Sequence, residues 1–278
     1  MAEPSGPYRL ERATLVVRGP DRKTWLDGLL TCAVAEVAPG VARYGLLLTK
    51  QGKIVSDVFL VDSGSELFVG VAPGQGGAVH ALLDRYLVME DAELSLPESA
   101  PAWLLSAPAA PLEPGALAHG DFQMRDLSLS LSVVSAAPAS AASAARLAEL
   151  LAQHGFGSFG VDFNERDNPH EASLDRVAVS WTKGCYLGQE VVCMQDMRGK
   201  VKRRLVALSG GAGLLSASAA EAPSVLGSTG EAVGHVTSVH AVAGGACLLA
   251  SVTTAALESA GELSVLGQPV RVVSSAAP

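Results

Sequence analysis

Nine consecutive residues, Thr182 to Glu190, read TKGCYLGQE and bring together a lysine, a thiol, a phenol, two glycines four apart and a carboxylate. A cysteine beside positive charge or at a helix start has a lowered pKa and serves as a nucleophile or a metal ligand. Lys183 stands two residues before Cys185, Gly184 and Gly188 allow close backbone approach, and YLGQEVVCMQDM reads as a helix that begins just after the thiol. The bland alternative is a small buried hydrophobe, as free cysteines commonly are. The remaining cysteines, Cys32, Cys193 and Cys247, are widely separated and form no C-x-x-C pair, so neither a disulfide framework nor a zinc ribbon is supported. Cys193 follows Cys185 by about two helical turns, without nearby histidines, and no metal site is expected.

Two carboxylates could also do chemistry. In GKIVSDVFLV, strand alternation puts Asp57 on the face of Val55, Phe59 and Val61. There it is either a carboxylate among apolar side chains, which needs a partner or a ligand, or a solvated edge charge. Glu171 lies in NPHEASL, where Asn168, Pro169 and Glu171 have the order of a helix N-cap, a first-turn proline and a reciprocating carboxylate. A carboxylate beside a fixed turn can also accept two parallel hydrogen bonds from a flat amidine-like edge such as a pterin. From the residues alone the capping role is favoured. The one dense basic run, RGKVKRR from Arg198 to Arg204, reads most simply as a solvated strand between domains.

The elements that must position these groups follow from pattern. A length of 278 residues suggests two domains, and the apolar content supports a sizeable core. A net charge of −8 argues against broad nucleic-acid binding or a membrane-attracted surface. MAEPSGPYRLER has no apolar signal region, and neither Leu127 to Ala145 nor Ala232 to Leu257 is an uninterrupted apolar run. A reduced, cytoplasmic protein is expected.

Leu10 to Arg18 reads as a strand, followed by a helix with Trp25, Leu26, Leu29 and Leu30 on one face. Runs at Tyr44 to Thr49, Lys53 to Val61 and Glu66 to Val71 form a three-stranded meander. Val79, Leu82, Leu83, Tyr86 and Leu87 have amphipathic helical spacing. Trp103 to Leu105 is a short strand, DLSLSLSVV a half-buried one, and SAASAARLAELLAQHG a helix ended by Gly155. Beyond Arg204 short β-type runs separated by Gly, Ser and Ala indicate a small barrel or sandwich. The expected fold class is α+β, with a domain boundary near Gly199 to Lys202.

Lys183 to Glu190 resembles the K-G-C-[FY]-x-G-Q-E signature of the YgfZ family of folate-binding proteins. The resemblance extends to LVVRGPDRKTWLDGLLT, LLTKQGKIVSDVFL and the C-terminal AVGHVTSV, and the latter two are also similar to the glycine-cleavage T-protein, an aminomethyltransferase. It implies a T-protein-like folate-binding module of two intertwined subdomains over residues 1–199, and a small C-terminal β-barrel over 200–278.

It further implies Asp57 beside the reactive folate nitrogens, Glu171 gripping the pterin, and Cys185, with Lys183, as the functional thiol site. Gly184, Tyr186, Gly188, Gln189 and Glu190 complete the signature and are implied to line the tetrahydrofolate pocket. The function implied is a monomeric tetrahydrofolate-binding accessory factor for iron-sulfur cluster assembly or repair in client proteins. The alternative is a folate-dependent aminomethyl or methyl transferase. After GQE the family carries a small residue and an arginine where this chain has Cys193 and Met194, a departure that leaves that arginine's role unfilled.

Overall fold

The computed structural model describes residues 6–108, 113–199, 201–216, 221–259 and 261–274. Lys200, within the expected boundary, lies outside them. The chain divides into two compact units, each assembled from separated stretches: Ala2–Leu147 with Arg176–Val191, and Ala148–Asp175 with Val192–Pro278.

The first unit is built on nine strands: β1 (Tyr8–Leu10), β2 (Ala13–Arg18), β3 (Gly40–Leu48), β4 (Ile54–Asp62), β5 (Leu67–Val71), β6 (Glu93–Ser95), β7 (Ala102–Ser106), β8 (Ala116–Met124) and β9 (Leu127–Val134). They form one sheet in the order β1-β7-β9-β8-β3-β4-β5-β2-β6. The meander predicted from turn signals is present as β3, β4 and β5, paired antiparallel in sequence order. β3 and β8 meet in parallel at Gly40↔Gly120 and Val41↔Asp121. A Cβ at Gly120 would stand 2.5 Å from the Ala42 nitrogen, so only glycine permits this junction.

Where pattern and structure differ, strand partnering is the cause. The predicted strand Leu10 to Arg18 breaks at Glu11 and Arg12, because β1 pairs with β7 while β2 pairs with β5 and β6. DLSLSLSVV reads as half-buried, yet Ser130 and Ser132 are buried, since β9 lies between β7 and β8 inside the sheet. Their hydroxyls are satisfied by Asp121 and His119.

Helix α1 (Arg22–Asp27) buries Trp25 and Leu26, and α2 (Gly76–Asp84) buries Val79 and Leu83, both against the cluster of Leu15, Val17, Leu60, Val69 and Val71. Both helices stop before the last residues of their predicted faces: Leu29 and Leu30 pack into the same cluster from beyond α1.

α3 (Ala144–Gln153) buries Leu147 and Leu150, and the chain turns out of it at Gly155, φ +75°. α4 (Gln189–Arg198) follows the signature loop. The barrel of the second unit comprises β10 (Arg203–Gly210), β11 (Ser224–Leu226), β12 (Ala232–Val242), β13 (Gly245–Thr253), β14 (Leu263–Val265) and β15 (Gln268–Ser274), with the short α5 (Thr254–Glu258) after β13. It closes in the order β10-β13-β12-β11-β14-β15 around Val206, Leu208, Val225, Val236, Leu248, Ala250 and Val265. The class is α+β with a large sheet and a small six-stranded barrel. Among the described residues no helix is long and apolar enough to cross a membrane.

Candidate functional site

Lys183 does not lie along the surface beside the thiol. Its side chain is only 3% exposed, and its ammonium donates to the carbonyls of Asp27, Leu30 (3.0 Å) and Cys32 (3.0 Å) while pairing with the Asp27 carboxylate at 3.1 Å. An ammonium has three protons to give, and this cradle uses them on the end of α1 and the segment after it. Leu187 N–H donates to the Gly28 carbonyl at 3.1 Å, adding a main-chain tie to the same segment.

Gly188 docks the other end of the loop. Its φ is +83°, and a Cβ there would stand 2.5 Å from the Thr49 carbonyl oxygen and 3.4 Å from Gly52 Cα, at the turn joining β3 to β4. Any other residue would have to push the turn away. Tyr186 is buried, with the Lys183 ammonium 5.7 Å from its ring centroid. Gly184 has open space around its Cβ position and no positive φ, so nothing in its packing requires glycine.

Cys185 stands out of this anchored loop, exposed to solvent, while Cys32 and Cys247 are buried and Cys193 is half-buried. The helix predicted to begin just after the thiol begins at Gln189, and the lysine predicted to polarise it points into the protein. Gln189 and Glu190 form the first turn of α4, and Gln189 N–H bonds the Tyr186 carbonyl at 3.2 Å. Burial pushes the Cys32 thiol up to about 12 and the Cys247 thiol up to about 11.

Asp57 is buried, which resolves its two readings in favour of a carboxylate among apolar side chains. Both faces of β4 are covered, so alternation carries no in–out signal here. Arg12, at the break between β1 and β2, forks onto it: Nη1 to Oδ1 at 2.5 Å and Nη2 to Oδ2 at 2.8 Å. The Tyr44 hydroxyl donates to Oδ2 at 3.3 Å, and the Arg12 guanidinium lies 4.6 Å from the Phe59 ring centroid. Tyr44 packs on Phe59 at 4.7 Å and Phe122 meets Phe59 edge-on at 5.9 Å. Burial, and then the neighbouring Asp57 charge, raise Tyr44 well above the usual phenol range, so it stays a neutral donor. The hairpin carrying Asp57 is the one whose turn receives Gly188.

Glu171 belongs to the second unit. Asn168 N–H donates to Glu171 Oε2 at 3.0 Å and Glu171 N–H donates to Asn168 Oδ1 at 2.9 Å, the reciprocal bonds that the sequence predicts. No helix follows. Ala172 N–H closes one turn onto Asn168 and Ser173, at φ +55°, ends it, so the predicted helix is a capped turn. Asn168 Nδ2 also bonds Gln195 Oε1 at 2.9 Å on α4, and Glu171 carbonyl receives Leu205 N–H at 2.9 Å from β10.

Beside the turn, His170, Asp175 and Asp196 offer ligand-type atoms within 4.8 Å of one another. The Asp175 carboxylate accepts from Arg204 at 3.0 Å and His170 Nε2 lies 3.4 Å from Asp196, so one of the two carboxylates already has a cation. Removing the carboxylate in Glu171→Ala is expected to lower stability by about 1 kcal/mol, the usual loss for a reciprocal capping bond, read by thermal or urea unfolding. A role in ligand recognition requires in addition a drop in affinity larger than that.

Sequence reasoning missed Arg12, Tyr44 and Asp27. Two adjacent charges, Glu11 and Arg12, between Leu10 and the apolar run that follows are the signal that marks the spot. Asp27 meets Lys183 across 156 residues of chain, and no local spacing reveals it.

The fold is T-protein-like. The glycine cleavage system aminomethyltransferase T from Bartonella henselae superposes with a TM-score of 0.73 at 17% identity, over 98% of this chain and 86% of that one. No family model matches the chain. By sequence the chain is similar to an iron-sulfur cluster assembly factor, the mitochondrial IBA57 homolog of Chaetomium globosum, at 26% identity over 250 aligned residues. The alignment covers 73% of this chain and 56% of that relative, so the chain spans about half the length of the curated relative it matches. Both likenesses agree with the superfamily resemblance carried by Lys183 to Glu190.

Proposed function

We propose that the protein is a tetrahydrofolate-binding accessory factor that supports assembly or repair of iron-sulfur clusters in client proteins. The observation that carries this reading is the signature loop: Lys183, Leu187 and Gly188 tie it down on both sides of an exposed Cys185. A thiol held out by buried anchors is suited to meet a partner protein. The assembly-factor name of the sequence relative and the aminomethyltransferase fold support the two halves of the proposal.

In this reading tetrahydrofolate lies near Asp57, Tyr186 and the loop glycines Gly184 and Gly188, with Gln189 and Glu190 at the head of α4. Lys183 acts by holding the loop. In this reading the protein acts as a monomer in the cytoplasm.

The second reading, a folate-dependent aminomethyl or methyl transferase, is favoured by the fold. Calorimetric titration with tetrahydrofolate, paired with iron-sulfur enzyme activities in a deletion strain, tests the first. Binding together with restored activity supports it, and absence of binding removes the folate half. Turnover with a lipoyl-protein or methylated donor would favour the transferase.

A further inference from the structure

The charged pair under the first unit's aromatic cluster carries more than the sequence assigned to it. Asp57 accepts from Arg12 Nη1, Arg12 Nη2 and Tyr44 Oη, so both carboxylate oxygens are engaged. The side chains of Arg12 and Asp57 are 10% and 3% exposed. Withdrawing such a pair from water is costly, and a well-packed apolar pair of similar volume often serves stability equally well.

The fork on Asp57 uses the far end of the guanidinium, which leaves its lateral edge, bearing Nε–H, for another acceptor. Among the described residues Nε is buried and has no acceptor. The Nε atoms of Arg22 and Arg203 are likewise buried without an acceptor, and what sets Arg12 apart is its place beside Asp57 in the aromatic cluster; a buried donor there asks for a ligand or a water. Phe59 holds the guanidinium plane in place at 4.6 Å, with Tyr44 and Phe122 packed on Phe59 in turn.

We propose that Arg12 is a ligand-binding residue of the folate site, and that it gives its Nε–H to an acceptor on the edge of the reduced pterin ring. This rests on the tetrahydrofolate reading above. It exchanges the roles drawn from resemblance: Arg12 makes the contact, and Asp57, locked by three donors, is the positioning residue that aims it. With three hydrogen bonds already accepted, Asp57 serves chiefly to aim Arg12.

The test is calorimetric titration of the full-length protein with tetrahydrofolate, alongside thermal unfolding, for wild type and Arg12→Lys. Lysine keeps a cation beside Asp57 and lacks both the planar fork and Nε. The expected result is a protein that still folds, with a lower melting temperature because one ammonium cannot replace the buried fork, and an affinity about tenfold weaker, the size of one lost hydrogen bond to a charged donor. Wild-type affinity in a folded Arg12→Lys overturns the proposal and leaves the folate reading standing, because water then satisfies Nε. If Arg12→Lys does not fold, Arg12→Gln is judged by the same criterion, and if neither folds Arg12 is a structural residue and the proposal fails. Absence of tetrahydrofolate binding by the wild type removes the folate reading itself, and Arg12 with it.

Discussion

Cys185→Ala is expected to abolish restoration of iron-sulfur enzyme activity in a deletion strain while expression, melting temperature and tetrahydrofolate affinity stay at wild-type values. The side chain is exposed, so its loss falls in the range of ordinary surface substitutions, within about 0.5 kcal/mol. Cys32→Ala would be a poor control, since that thiol fills space against Gly45 in the core. The reagent test is cleaner.

At mildly alkaline pH an alkylating reagent should modify Cys185 first, because its side chain is exposed. Cys32 and Cys247 are held protonated by burial, at about 12 and about 11, and are shielded as well. Half-buried Cys193 is the one competitor, and Cys193→Ala should leave both labelling of Cys185 and complementation unchanged. A fully active Cys185→Ala would sink the thiol role and leave the function to the folate site alone.

The second large effect is structural. Lys183→Met preserves the length of the side chain and removes the ammonium, leaving the carbonyls of Asp27, Leu30 and Cys32 without their shared donor and the Asp27 carboxylate without its cation. Uncompensated groups of this kind cost about 3 kcal/mol or more, which in a chain of this size lowers the melting temperature by roughly 5 to 10 °C. Lys183→Arg should also destabilise, because a planar fork cannot aim three donors into one cradle. If Lys183→Met melts as wild type does while activity is lost, the ammonium is chemical and the anchoring account is wrong.

Legibility followed the range of the interactions. The meander, both long helices and the barrel strands were readable because their patterns are local: turn residues between apolar runs, and apolar residues at helical spacing. The break at Arg12 was hidden because two consecutive strands choose different partners, a decision made far along the chain. At Glu171 the reciprocal bonds were legible from N-P-x-E, whereas the missing helix was not, since Ser173 turns to positive φ two residues later. Proximity in sequence suggested that Lys183 serves the thiol, and only tertiary structure reveals that its ammonium faces the other way.

The first unit is made of Ala2–Leu147 and Arg176–Val191, and its late stretch supplies contacts that its early stretch cannot replace: Thr31 Oγ1 to the Ala178 carbonyl at 2.6 Å, Ser180 N–H to the Thr31 carbonyl at 2.9 Å, and Lys183 in its cradle. During synthesis these partners emerge in a fixed order. At about 5 to 20 residues per second, the interval between Leu147 and Arg176 leaving the ribosome is a pause on the order of seconds. Through it the sheet can form while the carbonyls of Asp27, Leu30 and Cys32 wait in water. The nascent chain thus passes through a stage with all nine strands of the sheet and no signature loop, and the exposed Cys185 is delivered only when its support is already folded.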